Sequence, residues 1–227
     1  MDFGKWNRAK ISFFLGVDES PEMIHKCKSK IHQKGCTFSE VFLNMDIRKE
    51  LIEKKTNSTG CDHVVCFQGL DLILSTMDAI KMVLQNVSSV LKEGGYFFGM
   101  FMDSSAVWSA VQKNSDPRAS AKYYTIEFGS TDFKHIGSKF TFVLDQKAPT
   151  THYLIHLPTF IQKASEYNLR MVSLINCNEF FEDHKKTFGD LLNRALGQKP
   201  GDKPNIDNDQ KSIIGLYTTF VFQKVTL

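Results

Sequence analysis

ISFFLGVDESPEMIHKCKSKI, residues 11–31, decides the fold. Residues 11–17 are almost continuously apolar and β-branched or aromatic, the composition of a strand covered on both faces. Asp18 ends the run. Ser20, Pro21 and Glu22 then supply an N-cap, a first-turn proline and an acidic first turn, which opens a helix expected to reach about Ile31. A buried strand followed at once by a capped helix is half of a βαβ unit, and the rest of the first hundred residues repeats it.

A second strand is expected over 39–45, ending at Asp46, with the short helical stretch KELIEK behind it. A third, within DHVVCF, ends at Gln68. Residues 76–92 place Ala79, Ile80, Val83, Leu84, Val87, Val90 and Leu91 on one helical stripe. Gly94 and Gly95 stop that helix and YFFGMF forms a fourth strand. Strands alternating with helices at this spacing give an α/β parallel sheet. The second half changes character: YYTIEF, KFTFVL and HYLIHL are short strands of antiparallel type. A helix over 158–167 follows, then the strand MVSLIN, the helix EFFEDHKKTFGDLLNRAL, a polar loop over 197–212 read as flexible, and the closing strand LYTTFVFQK. Neither a repeat nor a composition break divides the chain, so residues 1–227 read as one domain.

Composition narrows the class without choosing a function. With 42% apolar and 23% charged residues the chain is globular, not disordered. Its net charge of +3 suits an anionic ligand but is far from the basic footprint of a dedicated nucleic-acid binder. Five cysteines, with no CxxC pair, argue for buried thiols in a reducing compartment and against a zinc site or a disulfide framework. No leader and no membrane-length apolar run stands out, so a soluble cytosolic or nuclear protein is expected.

Ligands of open parallel sheets bind at the carboxyl ends of the strands. Asp18, Asp46 and Gln68 end three consecutive strands and are therefore the first candidates. A carboxylate there can accept from both hydroxyls of a ribose, and an acid or amide on a neighbouring strand suits the exocyclic amine of adenine. Taken singly, each could equally be a turn or capping residue; the three together at one sheet edge favour a nucleoside.

The segments DFGKW, LGVDESPEMIHKC, VFLNMD, the CFQ strand end, LQNVSSVLKEGGYFFGMFMDSS, THYLIHLP, NEFFEDH and GLYTTFVFQK run nearly end to end along the chain. Through them it resembles the messenger-RNA cap guanine-N7 methyltransferases, nearest to a divergent plant-type paralogue. The resemblance implies a class I S-adenosylmethionine-dependent methyltransferase sheet of Rossmann-like type. The strand and glycine-rich loop that the family carries ahead of DFGKW do not precede it here, so the first strand is expected to be missing. S-adenosylmethionine is the implied cofactor. Asp18 would hold its ribose, and Asp46 and Gln68 would lie on the adenine and methionine side. Lys5, Lys30, His152 and Tyr217 stand where the family meets the cap. Capped RNA is the implied partner, the nucleus the implied location and a monomer the expected state.

The resemblance implies no catalytic acid or base. Guanine N7 is an unprotonated nucleophile, so proximity and orientation suffice. Two stretches depart from the family pattern. Gly69–Ile73 holds neither the aromatic nor the histidine expected after the strand-end glutamine, and Met100-Phe101-Met102 replaces a threonine-proline turn. His152 replaces a glutamate that accepts from guanine N1–H and N2–H2. These departures keep a second reading open, a catalytically impaired cap- or partner-binding module of the same fold.

Overall fold

The computed structural model describes residues 3–57, 60–112, 117–130, 134, 136–199, 201 and 206–226. In chain order, helix α1 (Phe3–Arg8) precedes strand β1 (Phe13–Asp18), helix α2 (Pro21–Gln33), strand β2 (Ser39–Asn44) and strand β3 (Cys61–Cys66). Helices α3 (Leu70–Ile73) and α4 (Met77–Val90) lead into the long strand β4 (Leu91–Met102). Helix α5 (Ser104–Gln112) is followed by four short strands, β5 (Arg118–Ser120), β6 (Tyr124–Phe128), β7 (Lys139–Leu144) and β8 (Thr150–Tyr153). The chain closes with α6 (Leu157–Glu166), β9 (Leu169–Asn176), α7 (Cys177–His184), α8 (Gly189–Ala195), α9 (Asn208–Ile214) and β10 (Tyr217–Lys224).

The opening βα unit forms as its residues dictate. Ser20 caps α2, its Oγ accepting from Met23 N at 3.3 Å, and Pro21 sits in the first turn. β2 lies parallel to β1, with Phe13 opposite Ser39 and Asp18 opposite Asn44. Phe3, Ile31 and Phe38 make a small core between these strands and their helices.

A second sheet has the order β3-β4-β10-β9, with β3 parallel to β4 and β10 antiparallel to both β4 and β9. Its register brings Gly99 opposite Cys66 so closely that a Cβ on Gly99 would lie 1.7 Å from the Cys66 carbonyl oxygen. Only glycine fits there. All seven residues of the apolar stripe on α4 and the start of β4 are buried; Ile80, Val83, Leu84, Val87 and Leu91 join Phe97, Phe101, Phe220 and Phe222 in the main core, and Val90 packs with Met45 and Ile52. The third sheet, β5-β6-β7-β8, is an antiparallel meander over Ile126, Phe140 and Phe142.

Several expectations need correction. Among the described residues no ladder joins β1 to β3, the place where the resemblance puts the missing first strand, and with the parallel strands in two sheets the three strand ends do not share one sheet edge. What joins them is apolar contact: Leu15, Val17 and Leu43 pack with Val64 of β3 around Met45, Ile52 and Val90. The single helix expected over 179–196 is two, broken between His184 and Gly189. KELIEK tightens to a 3-10 turn at Ile52–Lys54. The loop read over 197–212 ends early, because Asp207 and Gln210 form a reciprocal capping box that starts α9 at Asn208. Residues 200 and 202–205 of that loop lie outside the described residues. The five cysteines are free and only half-buried.

Candidate functional site

The ends of β3 and β4 and the start of β10 lie together on the four-stranded sheet, and the ends of β1 and β2 lie on the two-stranded one, so the polar groups at the strand ends form two separate sets. The first belongs to the two-stranded lobe. Asp18 is exposed, and its Oδ1 accepts from Ser20 N at 2.8 Å. That bond fixes the carboxylate at the strand end while leaving it open to solvent, the arrangement a ribose diol needs. Asp46, two residues beyond β2, is committed elsewhere. Arg48 grips it with a fork, Nε to Oδ1 at 2.7 Å and Nη2 to Oδ2 at 2.9 Å, and the Arg48 backbone N–H adds a bond of 2.9 Å. Nη2 also reaches Glu19 Oε2 at 2.7 Å. The Arg48 hydrogen bond holds the Asp46 carboxyl well below the usual carboxylate range, against the opposing effect of burial. Asp46 therefore does not fit a free acceptor for an adenine edge; it is the inner half of an ion-pair bridge running back to the end of β1. Gln68 follows β3 with an exposed side chain, while its carbonyl accepts from Cys66 Sγ. Lys5 and Lys30 are exposed, on α1 and in the last turn of α2.

The second set belongs to the four-stranded sheet and its neighbour. Asp103, just past β4, accepts from Ser105 and Ala106 N–H at 2.8 and 3.1 Å and so starts α5. Its other oxygen accepts from Thr218 Oγ1 at 2.8 Å, tying the β4 end to the start of β10, where Tyr217 pairs with Met102. Gly69, at φ 126°, turns the chain after β3 so that α3 can begin. α3 carries Asp71 inward, where it is 3% exposed and bonded through Oδ2 to His152 Nδ1 on β8. His152 Nε2 meets Thr150 Oγ1 at 2.8 Å, and the imidazole stacks on Phe140 and meets Phe142 edge-on. Tyr217 is half-buried, and burial together with the nearby Asp71 and Cys177 charges pushes its phenol up to about 12. The Cys66 thiol, buried and beside Asp71, is pushed up to about 11 and so stays neutral at physiological pH.

Of the residues singled out in the sequence, the structure joins His152 to Asp71 by a hydrogen bond and sets Tyr217 near enough for the Asp71 charge to act on its phenol. It does not bring Lys5 or Lys30 to them; those sit with Asp18 in the lobe. Asp71, Arg48 and Asp103 were not anticipated. The one available signal for Asp71 was an acid set between leucines in LDLIL, directly after a strand end.

The fold is that of an S-adenosylmethionine-dependent methyltransferase. Solved structures with which it aligns include a methyltransferase of that type from Clostridium acetobutylicum, with a TM-score of 0.53 at 15% identity over 93% of this chain and 75% of that one. The CcbJ methyltransferase from Streptomyces caelestis aligns with a TM-score of 0.57 at 11% identity over 97% and 78%. Sequence narrows the class. The family model described as mRNA (guanine-N(7))-methyltransferase domain matches residues 1–225, and the chain belongs to that family. It is 29% identical to the mRNA cap guanine-N(7) methyltransferase 2 of Oryza sativa over 99% of its own length and 71% of the relative's. It is 27% identical to the Arabidopsis thaliana protein of the same name over 97% and 67%.

Proposed function

We propose that this chain transfers a methyl group from S-adenosylmethionine to N7 of the guanine that caps messenger RNA. The observation that carries the reading is the family match over residues 1–225. The carboxyl-edge geometry agrees with it: an open carboxylate at Asp18 and an exposed amide at Gln68 fit the cofactor's nucleoside, and the Asp71–His152–Tyr217 cluster offers a place for the acceptor base. Bound there, the cofactor supplies an electrophilic methyl group on a sulfonium. The chain's own residues orient the two ligands and exclude water between them. No proton leaves N7, so no base is needed, and rate comes from near-attack geometry. Lys5 and Lys30 are point charges suited to the cap phosphates. Nuclear location, RNA binding and a monomeric state are part of the same proposal and rest on the family resemblance.

The test is methyl transfer to GpppA-capped RNA, read as N7-methylguanosine by mass spectrometry. Turnover that falls by tenfold or more with D18A supports the reading. A folded chain that binds the cap and S-adenosylhomocysteine without turnover favours the second reading, a catalytically impaired cap-binding module. The observation behind that alternative is the altered stretch Gly69–Ile73 after the strand end, together with a histidine at 152 that is bonded to Asp71.

A further inference from the structure

Glu40, on β2, is an acid in an apolar place. Phe38 and Phe42, two positions to either side of it, belong to the small core beside α2, and alternation along a strand sets Glu40 on that same face. Phe14 of β1 stands opposite it and packs in the same core. The Oε2 atom of Glu40 is buried and has no hydrogen-bond partner. A carboxylate oxygen withdrawn from water without a donor costs stability that an apolar side chain at the same position would not. The donors around it are spent elsewhere. Ser39 Oγ donates to the Ser12 carbonyl at 3.1 Å, and Cys36 Sγ donates to the Phe3 carbonyl at 3.9 Å. Lys28 holds its ammonium over the Phe42 ring, 5.7 Å from the centroid.

Glu40 also lines a cavity of about 330 Å³, bounded by the end of α2, the turn through Gly35 and the start of β2, with Ile31, Cys36 and Phe38 in the same wall. It lies at the amino end of β2, the opposite end of the strands from Asp18 and Asn44. Two features of the wall select a ligand. Glu40 presents an acceptor that lacks a donor. The helix α2, 13 residues long, ends at the cavity, and a helix C-terminus carries partial negative charge. Both favour a cation with N–H groups, and among the described residues no lysine lines the cavity. The rest of the wall chooses between cations. Ile31 and Phe38 are 3% and 7% exposed, so a ligand beside them gives up water. An ammonium is strongly hydrated and resists that loss. A guanidinium is more weakly hydrated, lies flat against apolar and aromatic groups, and meets a carboxylate with a planar fork of donors. We propose that this cavity binds a small guanidinium compound and that Glu40 is the acceptor that anchors it. The site is independent of the methyltransferase reading: neither Asp18 nor the Asp71–His152 pair lines it.

The experiment is calorimetric titration of agmatine, and separately of putrescine, which has an amine in place of the guanidinium, into the wild-type chain and into E40Q. The wild type is expected to bind agmatine saturably, and about tenfold or more tighter than putrescine. E40Q, with its fold checked by circular dichroism, is expected to lose about tenfold or more of the agmatine affinity. Absence of saturable agmatine binding at millimolar concentration, equal binding of the two compounds, or an unchanged affinity in E40Q overturns the proposal. Melting curves of E40M test it where E40Q does not fold. E40M removes the unpartnered acceptor, so it is expected to melt above the ligand-free wild type, and agmatine is expected to raise the Tm of the wild type alone. An E40M chain that melts below the wild type would mean that Glu40 already has its partner within the fold. That result, or an equal rise with agmatine in both chains, overturns the proposal.

Discussion

Strands β1 and β4 are written in nearly the same letters, FFLGVD and YFFGMF, yet they live in different surroundings. In β1 Gly16 is the one buried residue, and its aromatic and aliphatic neighbours are half-buried. In β4 Gly95, Phe97, Gly99, Phe101 and Met102 are all buried. The difference is in neighbours, not composition: β4 has β3 on one side and β10 on the other, whereas β1 pairs with β2 alone. One apolar strand can anchor a core or lie half open, depending on how many ladders it joins. The polar residues follow the division only in part. Asp18, Lys5 and Lys30 on the lobe are exposed, and Asp71 on α3 and His152 on β8 are buried and bonded to one another, but Asp46 of the lobe is held by Arg48 and Gln68 after β3 is exposed. The buried acid–imidazole pair is preformed, whereas the lobe carboxylate at Asp18 stands open to solvent.

The sharpest way to break this contrast is to remove one ring from each region. Phe220 is 1% exposed, with its ring centroid 4.9 Å from that of Phe97 and 5.5 Å from that of Phe101. Phe220→Ala is expected to cost about 3–5 kcal/mol in a denaturant melt. Phe14→Ala, in the half-buried lobe strand, should cost less than half as much. Equal losses would mean that the lobe is as firmly packed as the sheet.

Next in size is the tether between the regions. Asn86, on α4, is 1% exposed; its Oδ1 accepts from Ile52 N–H at 2.8 Å, and its Nδ2 donates to the Ile47 and Glu50 carbonyls at 3.0 and 2.9 Å. It thereby fixes the segment that leaves β2. Asn86→Ala strands three backbone groups and is expected to cost about 2–3 kcal/mol. Hydrogen exchange should quicken in residues 45–57 much more than in β10. Uniform quickening would show that lobe and sheet unfold as one unit.

Sequence could read the elements whose signals are local. The Ser20–Glu22 helix start, the α4 stripe and the strands within YYTIEF and KFTFVL depend on near neighbours and on periodicity, and all of them form, whereas the strand expected over HYLIHL runs instead over Thr150–Tyr153 and Leu157 already opens α6. The break between β1 and β3 was legible only through the resemblance, which puts the missing first strand between them; the apolar runs alone could not show it, because an edge strand and a central strand can share one such run. The helix α9 was hidden by the polar residues before Ile213, although its capping box stands at Asp207 and Gln210. At the site the same division holds. Asp18 and Gln68 were visible from their places at strand ends, and His152 and Tyr217 through resemblance. Asp46 was visible too, but its fork to Arg48 depends on a turn geometry that spacing does not specify. Asp71 became meaningful only once α3 had turned it toward a strand 81 residues away.

A smaller effect belongs to that fork. Its folded carboxyl is held below its ordinary value, so the pair adds stability above about pH 4 that is lost as pH falls below that value. Arg48→Met should remove on the order of 1 kcal/mol at neutral pH and flatten the acid limb of stability. If Asp46 is also needed for the cofactor, the same substitution frees it, and affinity for S-adenosylhomocysteine should rise. Falling affinity would instead make the bridge from β2 to Glu19 the feature that shapes the lobe.

The smallest effect at neutral pH is expected at Tyr217, and there the pH axis carries the information. Its phenol titrates near 10 when unfolded and is pushed up to about 12 in the folded chain, first by burial and then by Asp71 and Cys177. The folded state therefore holds the proton longer than the unfolded state does. The stability this gives is fully present below pH 10 and is lost as pH rises from 10 to 12. Tyr217→Phe has no proton to lose, so its difference in stability from the wild type should be flat up to pH 10. Above that pH the variant should gain on the wild type, by on the order of 1 kcal/mol at pH 12 once solvent screening is allowed for. Lysines titrate in the same range in both proteins and cancel in the difference. Adding D71N to both members of the pair sharpens the test, because loss of the buried negative charge should shrink the alkaline gap. A gap unchanged by D71N would mean that burial alone sets the phenol, and that Asp71 and Tyr217 do not act on one another across the edge of the sheet.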